Sequence, residues 1–230
     1  MRVREFVTES WTGRSVKNYF ASQGQPAITR QDFRIQRPMP GCLLFQFRTV
    51  PDLARSFFRM AEHNDGPGKI DLTKFLDRFL TRSGDVPYFK FWDGFNITDR
   101  SLAKWLLTTK DLTQAEQVLV RAIKRYPAKD RRAIVGIAGN SASTRRHELF
   151  HACYYLDSQF RRQVNQAMRQ FRQTRDYQRM TKILRDKLHY HQHVDEEIAA
   201  YLADGSDLGM VFGFQSGHAD IFRSLMDQIT

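Results

Sequence analysis

A chain of 230 residues, 41% apolar and 27% charged, is long enough to bury a core without cross-links and too hydrophobic to be disordered throughout. Its two cysteines, Cys42 and Cys153, lie too far apart in unrelated contexts to make a disulfide framework or a cysteine-rich zinc module, which points to a reducing compartment. A net charge of +11 favours acidic partners such as nucleic acid, an anionic surface or an acidic protein, and excludes little else.

The opening MRVREFVTESW carries charges without an apolar core behind them, and no later run approaches the ~18 apolar residues of a membrane span, so an intracellular (cytoplasmic) protein with no membrane partner is expected. Residues 1–40 are polar and broken by Gly24, Pro26, Pro38 and Pro40, which predicts an extended or loosely packed arm ahead of a single domain over 41–230. CLLFQFRTV (42–50) is short, apolar and partly alternating, a strand pattern. PDLARSFFRMAEH then places Leu53, Phe57, Phe58 and Met60 along a helix that starts at Pro51. The break Asn64-Asp65-Gly66-Pro67-Gly68 predicts a turn, followed by a helical stretch from Ile70 to Leu80.

VPYFKFWDGFNI (86–97) reads as strand and loop; Tyr88, Phe89, Phe91, Trp92 and Phe95 suit a core first and a substrate groove second. SLAKWLL and TQAEQVLVRAIKRY are helical, the latter with Ala115, Val118, Leu119 and Ile123 on one face. RRAIVGIAG (131–139) is β-branched and ends at Gly139-Asn140, a strand. From 159 to 191, Arg, Lys and Gln alternate with Val164, Met168, Phe171, Met180, Ile183 and Leu184. That pattern gives amphipathic helices whose basic side is either a solvated face or a nucleic-acid surface.

Between these comes RRHELFHACYYLD (145–157), in which His147, Glu148 and His151 stand in the order His-Glu-x-x-His. Histidines four apart on a helix lie one turn above each other, so both imidazoles can reach one metal ion. Glu148 beside them can take a proton from a metal-activated water and deliver it to a leaving amine. Asn140, Ser141 and Ser143 offer N-caps just ahead, and Leu149, Cys153, Leu156 and Phe160 form a stripe that would pack inward, making Cys153 a small buried hydrophobe.

A strand, a short turn and a helix carrying HELFH resemble the active-site unit of zincin metallopeptidases. The resemblance covers about residues 134–157 and 194–204 and implies an α+β domain, mostly helical with a small mixed sheet beside the HExxH helix, that binds Zn2+ and hydrolyses peptide bonds. It also implies a third ligand. VDEEIAAYLAD (194–204) resembles the glutamate helix of gluzincins, with Glu196 as the ligand, Glu197 as the alternative, and Ala199, Ala200 and Ala203 permitting close approach. Ala200 occupies the place where several gluzincins have an aspartate that orients the first histidine, leaving that role to Asp195 or Asp204.

Asp157 is a further candidate ligand, since some zincins have an aspartate six residues after the second histidine. Those enzymes turn at a glycine where this chain has Tyr154, and on a continuing helix Asp157 would point about 120° away from His151. His189, His191 and His193, spaced by two, could join a site only from an extended segment. Tyr201, His218 and Tyr190 are the candidate donors to a tetrahedral oxyanion. The resemblance further implies that RRAIVGIAG holds an extended peptide or protein substrate by backbone pairing. Two rivals stand beside this expectation: a basic nucleic-acid-binding or nucleoprotein-associated module, and a zincin-like protein without turnover.

Overall fold

The computed structural model describes residues 27–65, 93–110, 112–186, 193–205, 212 and 216–229. Four short strands, β1 (Phe33–Gln36), β2 (Cys42–Phe47), β3 (Gly94–Thr98) and β4 (Ala133–Ala138), form one mixed sheet in the order β1-β2-β4-β3. β2 and β4 are parallel, and β1 and β3 run antiparallel to their neighbours. The central strand β4, AIVGIA, is buried at every position, as an unbroken apolar run must be when both sheet faces are covered.

One layer of helices, α1 (Val50–Asp65), α2 (Asp99–Thr108) and α3 (Gln114–Lys124), covers the first face. Leu53, Phe57, Trp105, Leu119 and Ile123 pack there against Leu43, Phe45, Phe47, Phe95 and Ile134. Gly136 makes the approach possible, because a Cβ at that position would come within 2.7 Å of both Leu53 Cδ1 and Phe57 Cε2. The rings of Phe45, Phe47 and Phe95 then surround Phe57 at centroid distances of 6.1–6.2 Å.

The second face carries α4 (Ala142–Leu156), α5 (Ser158–Phe171), α6 (Arg175–Asp186), α7 (Val194–Ala203) and α8 (Ala219–Asp227). Leu149, Phe150, Phe160, Ile198, Leu202 and Phe222 fill the space between them and Cys42, Leu44, Val135 and Ile137. Helix starts follow local chemistry. Thr98 accepts from Ser101 N, Thr113 and Glu116 form a capping box, and Ser141 and Asp157 open α4 and α5. Among the described residues no helix is long and apolar enough to cross a membrane.

The sequence expectations therefore hold for the α+β class and for the mixed sheet beside the HExxH helix, with one boundary corrected. Residues 27–40 are not a loose arm. Phe33–Gln36 pairs with β2, Phe33 packs its ring 5.4 Å from Phe45 and 5.0 Å from Phe47, and the Ile28 amide donates to Gln114 Oε1 at 3.1 Å. The turn expected from Asn64 also starts later, since α1 runs through Asp65. Residues 1–26, the helix expected over Ile70–Leu80 and the aromatics Tyr88, Phe89, Phe91 and Trp92 lie outside the described residues.

Candidate metal centre

The site begins where β4 ends. Gly139, at φ +66, turns the chain out of the sheet, and Ser141 Oγ accepts from Thr144 N at 3.2 Å to start α4. Thr144 Oγ1 in turn donates to Asp93 Oδ2 at 2.6 Å, pinning the first turn to the segment that leads into β3. Leu149, Phe150, Ala152 and Cys153 are buried and hold the helix on the sheet. This fixes the opposite rotation for the polar residues: the His147 and His151 rings lie 5.0 Å apart, with their Nε2 atoms 3.3 Å from each other.

The third group comes from α7. Glu197 places Oε2 3.5 Å from His147 Nε2 and Oε1 3.5 Å from His151 Nε2. Ligand atoms of His147, His151 and Glu197 all lie within 4.8 Å of one another. Ligands about 2.0–2.1 Å from a tetrahedral ion sit roughly 3.3–3.4 Å apart, so the two imidazole nitrogens already have the spacing that zinc asks for. Glu197 Oε2 is also buried without a hydrogen-bond partner, which is costly unless a cation satisfies it. His147, His151 and Glu197 could thus hold a metal ion.

Each imidazole is gripped from its other side. Asp204 Oδ2 lies 3.2 Å from His147 Nδ1, and Glu196 Oε1 lies 2.8 Å from His151 Nδ1. An ionised carboxylate can only accept, so both Nδ1 atoms carry protons, and the Nε2 atoms facing Glu197 are the ones left to meet a metal ion once their own protons are displaced. The expectation that Glu196 is the ligand is therefore corrected: its carboxylate sits on the outer nitrogen of His151, and Glu197 converges with the histidines. Asp204 takes the orienting place, whereas Asp195 pairs with Arg172 and accepts from the Tyr177 hydroxyl at 2.7 Å.

The remaining candidates separate clearly. Asp157 ends α4 and caps α5, accepting from Gln159 N at 2.7 Å and Phe160 N at 3.1 Å, so its carboxylate is already committed to a helix terminus. Phe160 accordingly belongs to α5 and does not continue the α4 stripe. His218 precedes α8 with its ring 5.1 Å from Phe171. Exposed His193 is the residue before α7, at φ 54, and supplies its carbonyl to Glu197 N at 3.0 Å. Tyr201 does reach the site, with its ring 4.7 Å from that of His147. Tyr190, His189 and His191 lie outside the described residues.

Glu148 points toward β3. Its Oε2 accepts from Asn96 Nδ2 at 3.0 Å, and a Cβ on Gly94 would lie only 2.7 Å from Glu148 Cγ, so the strand is notched to admit this side chain. Gly94 and Asn96, two apart on a strand, present the same face, a spacing visible in the sequence. Arg146 is a second residue the motif did not flag: its guanidinium donates to the carbonyl of Arg223 at 2.8 Å, to that of Ala203, and pairs with Asp227, tying α4 to the ends of α7 and α8. The strand expected to hold substrate is corrected as well. β4 is paired on both sides, while among the described residues β3 pairs with β4 alone and forms the sheet edge next to Glu148.

The electrostatics match a site built around positive charge. Burial by itself would lower the His147 pKa, but the hydrogen bond to Asp204 and the Glu197 carboxylate 3.5 Å away outweigh it and raise it to about 10. His151 is raised too, burial being outweighed by the Glu197 charge and the bond to Glu196. Burial pushes Glu197 up, and the two histidines reverse this and leave it lowered. Burial dominates at Glu148 and raises it, against the pull of the histidines and Asn96. Burial and then the neighbouring Glu197, Asp204, Glu148 and Asp93 hold the Tyr201 phenol well above its ordinary value. No family model, curated protein or solved structure matches the chain.

Proposed function

We propose that this protein is a zinc-dependent metallopeptidase with a zincin-like centre, in which His147, His151 and Glu197 hold the ion and Glu148 is the general base. The observation that carries this reading is the convergence of His147 Nε2, His151 Nε2 and the Glu197 carboxylate, with Oε2 buried and otherwise unpartnered. When bound, zinc supplies Lewis acidity, bringing water's pKa toward neutrality and polarising a carbonyl. Glu148, one residue from His147, accepts the water proton and returns it to the leaving amine. The same parts suit hydrolysis of another amide.

The surrounding residues have roles that follow from their contacts. Asp204 and Glu196 keep the imidazoles turned toward the ion from Nδ1. Asn96 holds the Glu148 carboxylate in one orientation. Tyr201 is the donor for the oxyanion: burial and then its neighbouring carboxylates keep the phenol protonated, which is the form that donates. An extended substrate would add to the edge of β3 by backbone pairing, next to Glu148.

The test is zinc content and proteolysis of an unstructured protein by wild type and Glu148→Gln. Wild type should carry about one zinc per chain and cut the substrate; the variant should keep the zinc and lose at least a hundredfold in rate. Wild-type protein that binds zinc yet cuts no faster than Glu148→Gln would leave the ion a structural role. Protein purified without chelators and free of zinc would remove the reading altogether.

A further inference from the structure

The excess positive charge of this chain is not spread evenly. Residues 158–185, covering nearly all of α5 and α6, hold eight of the 36 Lys and Arg residues and one of the 25 Asp and Glu residues, a net of +7 out of +11. The apolar side of both helices is fully used, because Phe160, Val164, Met168, Phe171, Met180 and Leu184 are all buried in the core. What the helices show to solvent is therefore almost entirely cationic and amide.

Some of these cations are already engaged. Arg172 pairs with Asp195, and Arg161 donates to the carbonyls of Tyr154 and Tyr155. Arg162, Arg169, Arg175, Lys182 and Arg185 are partly or fully exposed and have no ion-pair partner among the described residues. Arg162 and Arg169 are seven apart on α5, and Arg175 and Lys182 seven apart on α6. Two helical turns return each pair to one face about 10 Å apart. Exposed Gln166, Gln170 and Gln178 lie between them and add neutral donors without adding a compensating negative charge.

We propose that this face of α5 and α6 is a nucleic-acid-binding surface that contacts duplex DNA through its phosphates. Arginine is the main cation present, and its planar fork suits phosphate oxygens. An anionic lipid surface fits less well, since the large exposed apolar residues among the described ones, Leu107, Tyr155 and Ile221, lie on α2, α4 and α8, and neither α5 nor α6 has one to insert. The helices show no base-reading pattern, so binding is set by charge and is independent of base sequence. This surface does not depend on the proposed peptidase chemistry.

The experiment uses the full chain and a fluorescent 20-base-pair duplex, with anisotropy read from 50 to 300 mM NaCl. Binding at about 10 μM or tighter is expected at the lowest salt, with log K falling against log salt at a slope of about −4 to −5 for five phosphate contacts. The triple variant Arg162→Gln, Arg169→Gln, Lys182→Gln changes only exposed helix positions. It should keep the wild-type circular dichroism, weaken binding at least tenfold and reduce the slope by about 2.7. Three outcomes would overturn the proposal: no binding at 50 mM, a triple variant with wild-type affinity and slope, or tighter binding to phosphatidylserine vesicles or polyglutamate than to the duplex.

Discussion

Which of two adjacent glutamates converges with His147 and His151 is decided by about 100° of helix rotation, and the deciding information lies further along α7. Glu197, Tyr201 and Asp204 are spaced +4 and +7 and share a face, and all three touch His147. Glu196 looks past that face to the Nδ1 of His151. The pattern is legible in DEEIAAYLAD, but the resemblance to the gluzincin helix, which puts small residues such as Ala199 and Ala200 at +3 and +4 from the ligand, points to Glu196, whereas here the orienting carboxylate, Asp204, lies at +7 from Glu197. The two residues should accordingly fail differently. Glu197→Ala removes a ligand and should abolish stoichiometric zinc. Glu196→Gln keeps a hydrogen-bond acceptor for His151 and should bind one zinc with an affinity 10–100-fold lower by chelator competition. Loss of zinc in Glu196→Gln with retention in Glu197→Ala would reverse the assignment.

Asn96 and Gly94 belong to the same scale, since the first partners Glu148 and the second makes room for it. Gly94→Ala puts a methyl group where the carboxylate stands, so either β3 or Glu148 must move. A cost of about 1–3 kcal/mol is expected for such overpacking, read as roughly 2–4 °C in Tm for each kcal/mol. Zinc stoichiometry should be unchanged, because none of the ligands contacts that methyl group. A variant as stable as wild type would mean that Glu148 does not occupy the notch.

At the scale of elements, the strand-turn-helix unit that ends in α4 was readable because its signals are local: β-branched residues, a glycine turn and a serine cap. β1 was not readable. Four residues, FRIQ, alternate apolar and polar but are too few to stand out from the Pro- and Gly-broken segment around them, and the strand exists because Phe33 finds Phe45 and Phe47 on a neighbour. Helix α7 falls between these cases, since its alanines announce close packing without saying against what. Ala199, Ala200 and Ala203 are each fully buried as α7 packs among α4, α5, α6 and α8. Ala200→Leu should cost at least about 1–3 kcal/mol by overpacking and, by pushing α7 away, should weaken zinc binding even though residue 200 is not a ligand. Thermal unfolding and chelator competition on the same sample check both; a fall in Tm with unaltered zinc affinity would separate the packing of α7 from the geometry of Glu197.

For the molecule as a whole, two apolar layers hold the sheet, and an ion held by His147, His151 and Glu197 would join α4 to α7, elements separated by two intervening helices in the chain. Zinc should therefore raise the stability of the entire fold through binding linkage, by about 4 kcal/mol when free zinc is 1,000 times its Kd. The pH dependence of that gain has a definite sign. In the metal-free protein the His147 pKa is raised to about 10 from the ordinary 6.5. A group raised on folding contributes stability that is full below its unfolded value and is lost as pH rises through the folded one. The metal-free fold thus loses this contribution between about pH 6.5 and 10, as do the ion pairs that depend on the proton. Zinc binding needs the proton gone, so its affinity moves the opposite way, rising by up to tenfold per pH unit for each proton displaced. The lowered pKa of Glu197 adds no slope here, because that carboxylate is ionised across the whole window. The difference in Tm with and without zinc should then widen steadily from pH 6 to pH 9. A difference that stays constant would mean that zinc does not displace protons from these imidazoles, and that His147 and His151 are not its ligands.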